Sequence, residues 1–174
     1  MAINTFHCFL LACVLLIAIY DVINGYEMII QKAEIIKYDE KYVKNPTLQV
    51  MQYSRRRKPV LNFGAITMHL WDNNVTIDMI YEEFIKNEYK PSFVGLRFKL
   101  CDFIESPYFN IKKTYGYVCP LQPGEVRITN MTVNSEHFPN LFPYVKGRVI
   151  VSFNVKAVNV TMVTSHFYVL FKEK

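Results

Sequence analysis

In residues 147–158, "GRVIVSFNVKAV", every second side chain is apolar. If the segment is extended, Val149, Val151, Phe153, Val155 and Ala157 point one way, while Ser152, Asn154 and Lys156 point the other. A strand with one apolar face must bury that face against a second layer. The same period recurs at 26–37, 60–71, 74–81, 93–103, 124–133 and 160–171, in segments that are mostly β-branched or aromatic. Only 79–89 and the region around 105–113 read as candidate helical turns, and neither is bounded by strong caps. So many strands without crossover helices predict an all-β chain, packed as an antiparallel sandwich or barrel.

The N-terminus carries the apolar run "FHCFLLACVLLIAIY", residues 6–20, which lacks Lys, Arg, Asp and Glu. It is short for a membrane span, and small or polar residues follow it in "DVING". Residues 1–25 therefore read as a secretory signal peptide cleaved after Gly25, with 26–174 as one domain. An uncleaved anchor is the alternative, because "MAINTFH" has no basic residue and Ile23 is bulky for its place before the cleavage point. Cleavage removes Cys8 and Cys13 and leaves Cys101 and Cys119, 18 positions apart. In an oxidising compartment the expectation is one disulfide rather than two free thiols, stabilising the fold by about 3 kcal/mol. The bridge would tie down "DFIESPYFNIKKTYGYV". Pro120, Pro123 and Gly124 would then turn the chain into the next strand.

Three sequons fit an exported chain and mark Asn74, Asn130 and Asn159 as N-glycosylation candidates. Each lies in or beside a predicted strand and would have to face water. The net charge of the whole chain is +5, and it becomes +6 without Asp21, the single strong charge before residue 26. The basic residues are scattered except in "RRRK", 55–58, which suits either a solvated loop or an anionic partner such as a membrane surface. No base-stacking or groove-reading motif accompanies it, so no nucleic acid is expected.

Motifs for catalysis are missing: there is no GxSxG, HExxH or CxxC, and the six glycines are not clustered. His69, His137 and His166 are far apart and lack metal-ligand spacing, while Glu82 and Glu83 would face opposite sides of a strand. The reading is no enzyme, no catalytic residue, no metal and no cofactor. What the chain has in excess is large apolar side chains. In a sandwich these fill a core by default, but if the sheets splay they line a slot for an acyl or hydrocarbon chain. Each methylene buried there contributes about 0.8 kcal/mol. Trp71, Phe98 and Phe153 are the lining candidates. The proline-bearing stretch "EHFPNLFPYV", 136–145, is apolar for a loop, and either caps the core or forms a lip through Phe138, Leu141 and Phe142.

The order "FKLCDF", then "YGYVCPLQPGEVRITN", then Pro139 and Pro143 in an apolar loop, then "KGRVIVSFNV" resembles the ganglioside-activator proteins. The mature chain as a whole is similar to the insect branch of this MD-2-related lipid-recognition group, which includes the chemosensory CheA and CheB proteins. The likeness is best over 93–156. It implies an immunoglobulin-like β-sandwich or β-cup with an apolar interior. It also implies a secreted, non-catalytic carrier of a lipid or long-chain hydrocarbon, with contact chemosensation as its setting. The chain departs from the ganglioside activators in having one cysteine pair after the signal and none in its last strand, so ganglioside specificity is not carried over. The rival reading is a secreted module that engages a receptor or other extracellular protein without a small ligand. A secreted hydrolase comes third.

Overall fold

The computed structural model describes residues 26–133 and 145–173. The signal-peptide expectation for 1–25 and the lip candidates Phe138, Leu141 and Phe142 lie outside the described residues. Eight strands account for most of the described residues: β1 (Tyr26–Tyr38), β2 (Val43–Met51), β3 (Val60–Thr67), β4 (Val75–Ile85), β5 (Glu88–Lys99), β6 (Gly124–Met131), β7 (Lys146–Val155) and β8 (Val160–Glu173). They form an antiparallel two-sheet sandwich, one sheet ordered β1-β8-β7-β4-β5 and the other β2-β3-β6. This is the all-β antiparallel sandwich expected from the alternation, and it agrees with the immunoglobulin-like sandwich that the family resemblance implies.

Register explains why the alternating residues matter. Across the larger sheet, Phe98, Ile77, Phe153 and Val163 are successive partners, and one step along lie Leu96, Met79, Val151 and Ser165. Directly paired residues share a face, so these rows form the inner surface. Val43, Ala65 and Ile128 from the smaller sheet meet Ile77, Val151 and Val163 in one buried cluster. A second cluster of Tyr81, Val169 and Phe171 lies toward the β1 start. There Gly147 is obligatory, because a Cβ on it would collide with the Tyr81 hydroxyl and the Glu82 carbonyl.

Several expectations change. Residues 79–89 hold no helical turn; they finish β4, turn at Lys86-Asn87 and begin β5. Both turn residues have positive φ, which suits the right-handed twist of a hairpin and which asparagine tolerates. The strand expected over 93–103 stops at Lys99, so Cys101 lies in a short helix, α1 (Leu100–Glu105), and not late in a strand. The spacing of Leu100, Phe103 and Ile104 is helical, and Leu100 and Ile104 are buried. A second helix, α2 (Ile111–Tyr115), fits the region marked near 105–113. Ala157 leaves the alternation because β7 ends at Val155 and a 3-10 turn, Lys156–Val158, follows. Trp71 lies beyond β3 and is held by an isolated bridge to Leu121. The unforeseen strand is β2, whose Pro46 sits at a register shift on a sheet edge, where a missing N–H is tolerated.

Candidate functional site

The Cys101–Cys119 disulfide closes, with Cα atoms 5.3 Å apart. The segment it encloses has a definite task. Tyr117 Oη donates to the Arg127 carbonyl at 2.9 Å and accepts from the Arg127 N–H at 2.7 Å, while Tyr115 Oη donates to the Thr129 carbonyl at 3.0 Å. Arg127 and Thr129 lie on β6, the edge of the smaller sheet, so two tyrosines occupy the place of a missing neighbour strand. Gly116, between them, takes a left-handed φ of 72°. Burial raises the pKa of Tyr115, which keeps its phenol protonated as a donor. Tyr117→Phe is expected to cost roughly 1 kcal/mol in denaturant unfolding and to speed hydrogen exchange at the Arg127 amide. Unchanged exchange would remove Tyr117 from the edge.

The three lining candidates come close together. Phe98 and Phe153 flank Ile77 in one inner row, and the Trp71 ring packs on Phe153 at 6.1 Å between centroids. Phe98 meets Phe103 at 6.0 Å, and Phe103 meets Phe109 at 4.5 Å, continuing an aromatic wall through α1. Trp71 is buried, and its indole N–H has no hydrogen-bond partner among the described residues. An unsatisfied donor in a dry interior costs about 1–3 kcal/mol until an acceptor reaches it.

The inner face is not fully closed over. Ile77 is wholly buried, yet Phe63, Met79, Val149, Phe153 and Phe167 are only half-buried although they pack against the same cluster. Leu96, in the row next to Phe98, is 50% exposed. The alternation could have revealed Phe167 and Met79, since they share parity with Val163 and Ile77; Phe63 lay within a predicted strand of unassigned facing.

The outer face of the larger sheet carries a set of mutually paired polar groups beside the exposed Ile80. Arg148 Nε donates to Glu82 Oε2 at 2.7 Å, and the guanidinium lies 4.6 Å from the Tyr89 ring centroid. Tyr168 Oη donates to Glu34 Oε1 at 2.7 Å, and Lys32 Nζ pairs with Glu34 Oε2 at 2.6 Å. Hydrogen bonds from Lys32 and Tyr168 hold the Glu34 carboxyl below its ordinary range. Burial, aided by Arg148, pushes the His166 imidazole down, so it stays neutral near neutral pH. Adjacent Glu82 and Glu83 pair with different strand neighbours on opposite faces, as expected. His69 Nε2 donates to the Lys41 carbonyl at 3.0 Å, and His137 lies outside the described residues. Among the described residues no group of three or more His, Cys, Asp or Glu side chains could hold a metal ion. None of their helices is long and apolar enough to cross a membrane.

Asn74, Asn130 and Asn159 are all exposed. Asn74 and Asn159 sit at the disulfide end of the sandwich, where Lys156 N–H bonds the Asn74 carbonyl at 3.0 Å. Asn130 lies at the other end of β6 and accepts from Tyr53 Oη at 2.8 Å.

No family model and no curated protein matches the chain. Among solved structures it is similar to a Niemann-Pick type C2 protein from Japanese carpenter ant, at 9% identity and a TM-score of 0.39, over 78% of this chain and 95% of that one. It is also similar to chicken MD-1 complexed with lipid IVa, at 9% identity and a TM-score of 0.39, over 79% of this chain and 96% of that one.

Proposed function

We propose that this chain is a secreted, non-catalytic protein that takes the tail of a lipid or long-chain hydrocarbon between its two sheets. The observation that carries this reading is the half-burial of Phe63, Met79, Val149, Phe153 and Phe167 on an inner face where a filled sandwich would bury them. Desolvation of the tail against that surface supplies the driving force, and a few polar groups choose the head. The Trp71 N–H is one such group, since it would pair with a carbonyl or hydroxyl oxygen. In this reading residues 1–25 are a cleaved signal peptide and 26–174 one lipid-recognition-like domain. Asn74, Asn130 and Asn159 carry glycans, Trp71, Phe98 and Phe153 line the site, and Phe138, Leu141 and Phe142 form its lip. Insect contact chemosensation is the setting that the family resemblance suggests.

Native mass spectrometry of the protein secreted from insect cells, followed by organic extraction, tests the reading. The expected result is a stoichiometric lipid or hydrocarbon. A clean apo mass that persists after incubation with mixed cuticular and membrane lipids would overturn it. For the lip, Leu141→Asp is expected to abolish lipid uptake at unchanged thermal stability; normal uptake would take Leu141 out of the site.

A receptor-binding module without a small ligand is favoured by one observation, the exposed apolar side chains on the edge hairpin. Phe93 is 88% exposed and Ile80 47%. A saturable protein partner together with the apo mass would select that reading.

A further inference from the structure

The β2–β3 hairpin ends in a tip, residues 52–59, whose cations are almost all uncommitted. Lys58 pairs with Glu27 at 2.6 Å, whereas Arg55, Arg56 and Arg57 make no ion pair among the described residues. All four are exposed, and so are the flanking Met51, at 38%, and Tyr53, at 57%. Unpaired arginines beside an exposed tyrosine and methionine offer charge to an anionic surface and amphipathic side chains to the depth just beneath it.

The rest of the molecule orients this tip. The Lys58–Glu27 pair places it at the end where β1 starts. Strand register brings the end of β8, the start of β7 and the β4–β5 turn to the same end. Lys86, Lys146 and Lys172 stand there, exposed, against Glu27, Glu83 and Glu88, of which Glu27 already pairs with Lys58. The opposite end is balanced: Asp39, Glu40, Asp72, Asp102 and Glu105 on its turns and on α1 stand against the exposed Lys41, Lys99, Lys112, Lys113 and Lys156, so the excess of positive charge gathers at the tip's end. The sandwich is therefore polarised along its strands. Its basic end is also the end nearest the Tyr81–Val169–Phe171 cluster.

We propose that the basic end docks on anionic phospholipid headgroups, with Arg55, Arg56 and Arg57 as the principal contacts, while the Tyr53 hydroxyl stays on Asn130 Oδ1. A solvated loop would gain nothing from this arrangement of unpaired guanidinium groups on one pole. The docking does not depend on a tail entering between the sheets, so either property can fail without the other.

The test is cosedimentation of the secreted protein with vesicles of phosphatidylcholine alone and with about 30% phosphatidylserine, at about 0.1 M and about 0.5 M salt. Binding is expected to the phosphatidylserine vesicles only, and to fall at the higher salt. The exposed-loop variant Arg55→Ser/Arg56→Ser/Arg57→Ser is expected to keep its circular dichroism and melting temperature. Its vesicle affinity should drop on the order of a hundredfold, from about a fivefold share for each arginine near the surface. Equal binding to both vesicle types, or an unchanged affinity in the triple variant, would overturn the proposal. So would arginine-dependent binding to heparin or single-stranded DNA without vesicle binding, which would make the partner a soluble polyanion.

Discussion

Replacing Cys101 and Cys119 together by serine is expected to lower the unfolding free energy by about 3 kcal/mol, from the entropy of closing an 18-position loop. The loss should not stay local. The bridged segment carries Tyr115 and Tyr117, whose hydroxyls complete the open edge of β6. Once the loop is free, three hydrogen bonds to β6 must be made by a segment that also recovers its chain entropy. Amide exchange at Arg127 should therefore accelerate beyond the change in global stability. Denaturant unfolding at equal slope measures the first effect, and residue-resolved exchange measures the second. A variant with unchanged midpoint, or with β6 exchange that follows global stability alone, would leave the disulfide without its assigned task.

The bridge also shows what the sequence could and could not reveal. Cys101 and Cys119 are legible as a pair on the expectation that a cleaved signal peptide carries Cys8 and Cys13 away. What the pair serves is not legible, since Tyr117 and Arg127 are ten positions apart and their contact depends on two turns and a sheet edge. Most strands are visible through period-two alternation, which depends only on one buried face. β2 is hidden because Asn45, with a positive φ, and Pro46 interrupt its pattern at a bulge. The β4–β5 hairpin is hidden for another reason: "MIYEEFIKNEY" places apolar residues at both helical and strand spacing, and only pairing with β7 decides between them. Phe98 and Phe153 can be chosen as inward from alternation. That Ile77 lies between them, and that Trp71 covers Phe153, requires the register of three strands and a bridge to Leu121.

Ile77 and Phe153, direct partners on the inner face, should respond unequally to truncation. Ile77 is 0% exposed and sits among Val75, Val151, Leu100 and Met162 in the main cluster. Ile77→Ala is expected to cost about 2–5 kcal/mol, since both the transfer energy of the lost methylenes and an unfilled cavity count against it. Phe153 is larger but only half-buried, so part of its ring already lacks close neighbours. Phe153→Ala should therefore cost the ligand-free protein only roughly 1–2 kcal/mol, less than a buried phenylalanine would. Its larger effect should fall on ligand retention, because the ring forms the wall against which a tail would lie. Urea unfolding of delipidated protein, set beside the amount of lipid recovered from the secreted variants, separates the two. If Phe153→Ala proves as destabilising as Ile77→Ala and leaves recovered lipid unchanged, Phe153 belongs to a filled core. If its cost is small and the lipid is lost, the space beside Phe153 holds the tail, and the Trp71 N–H above that ring lies within its reach.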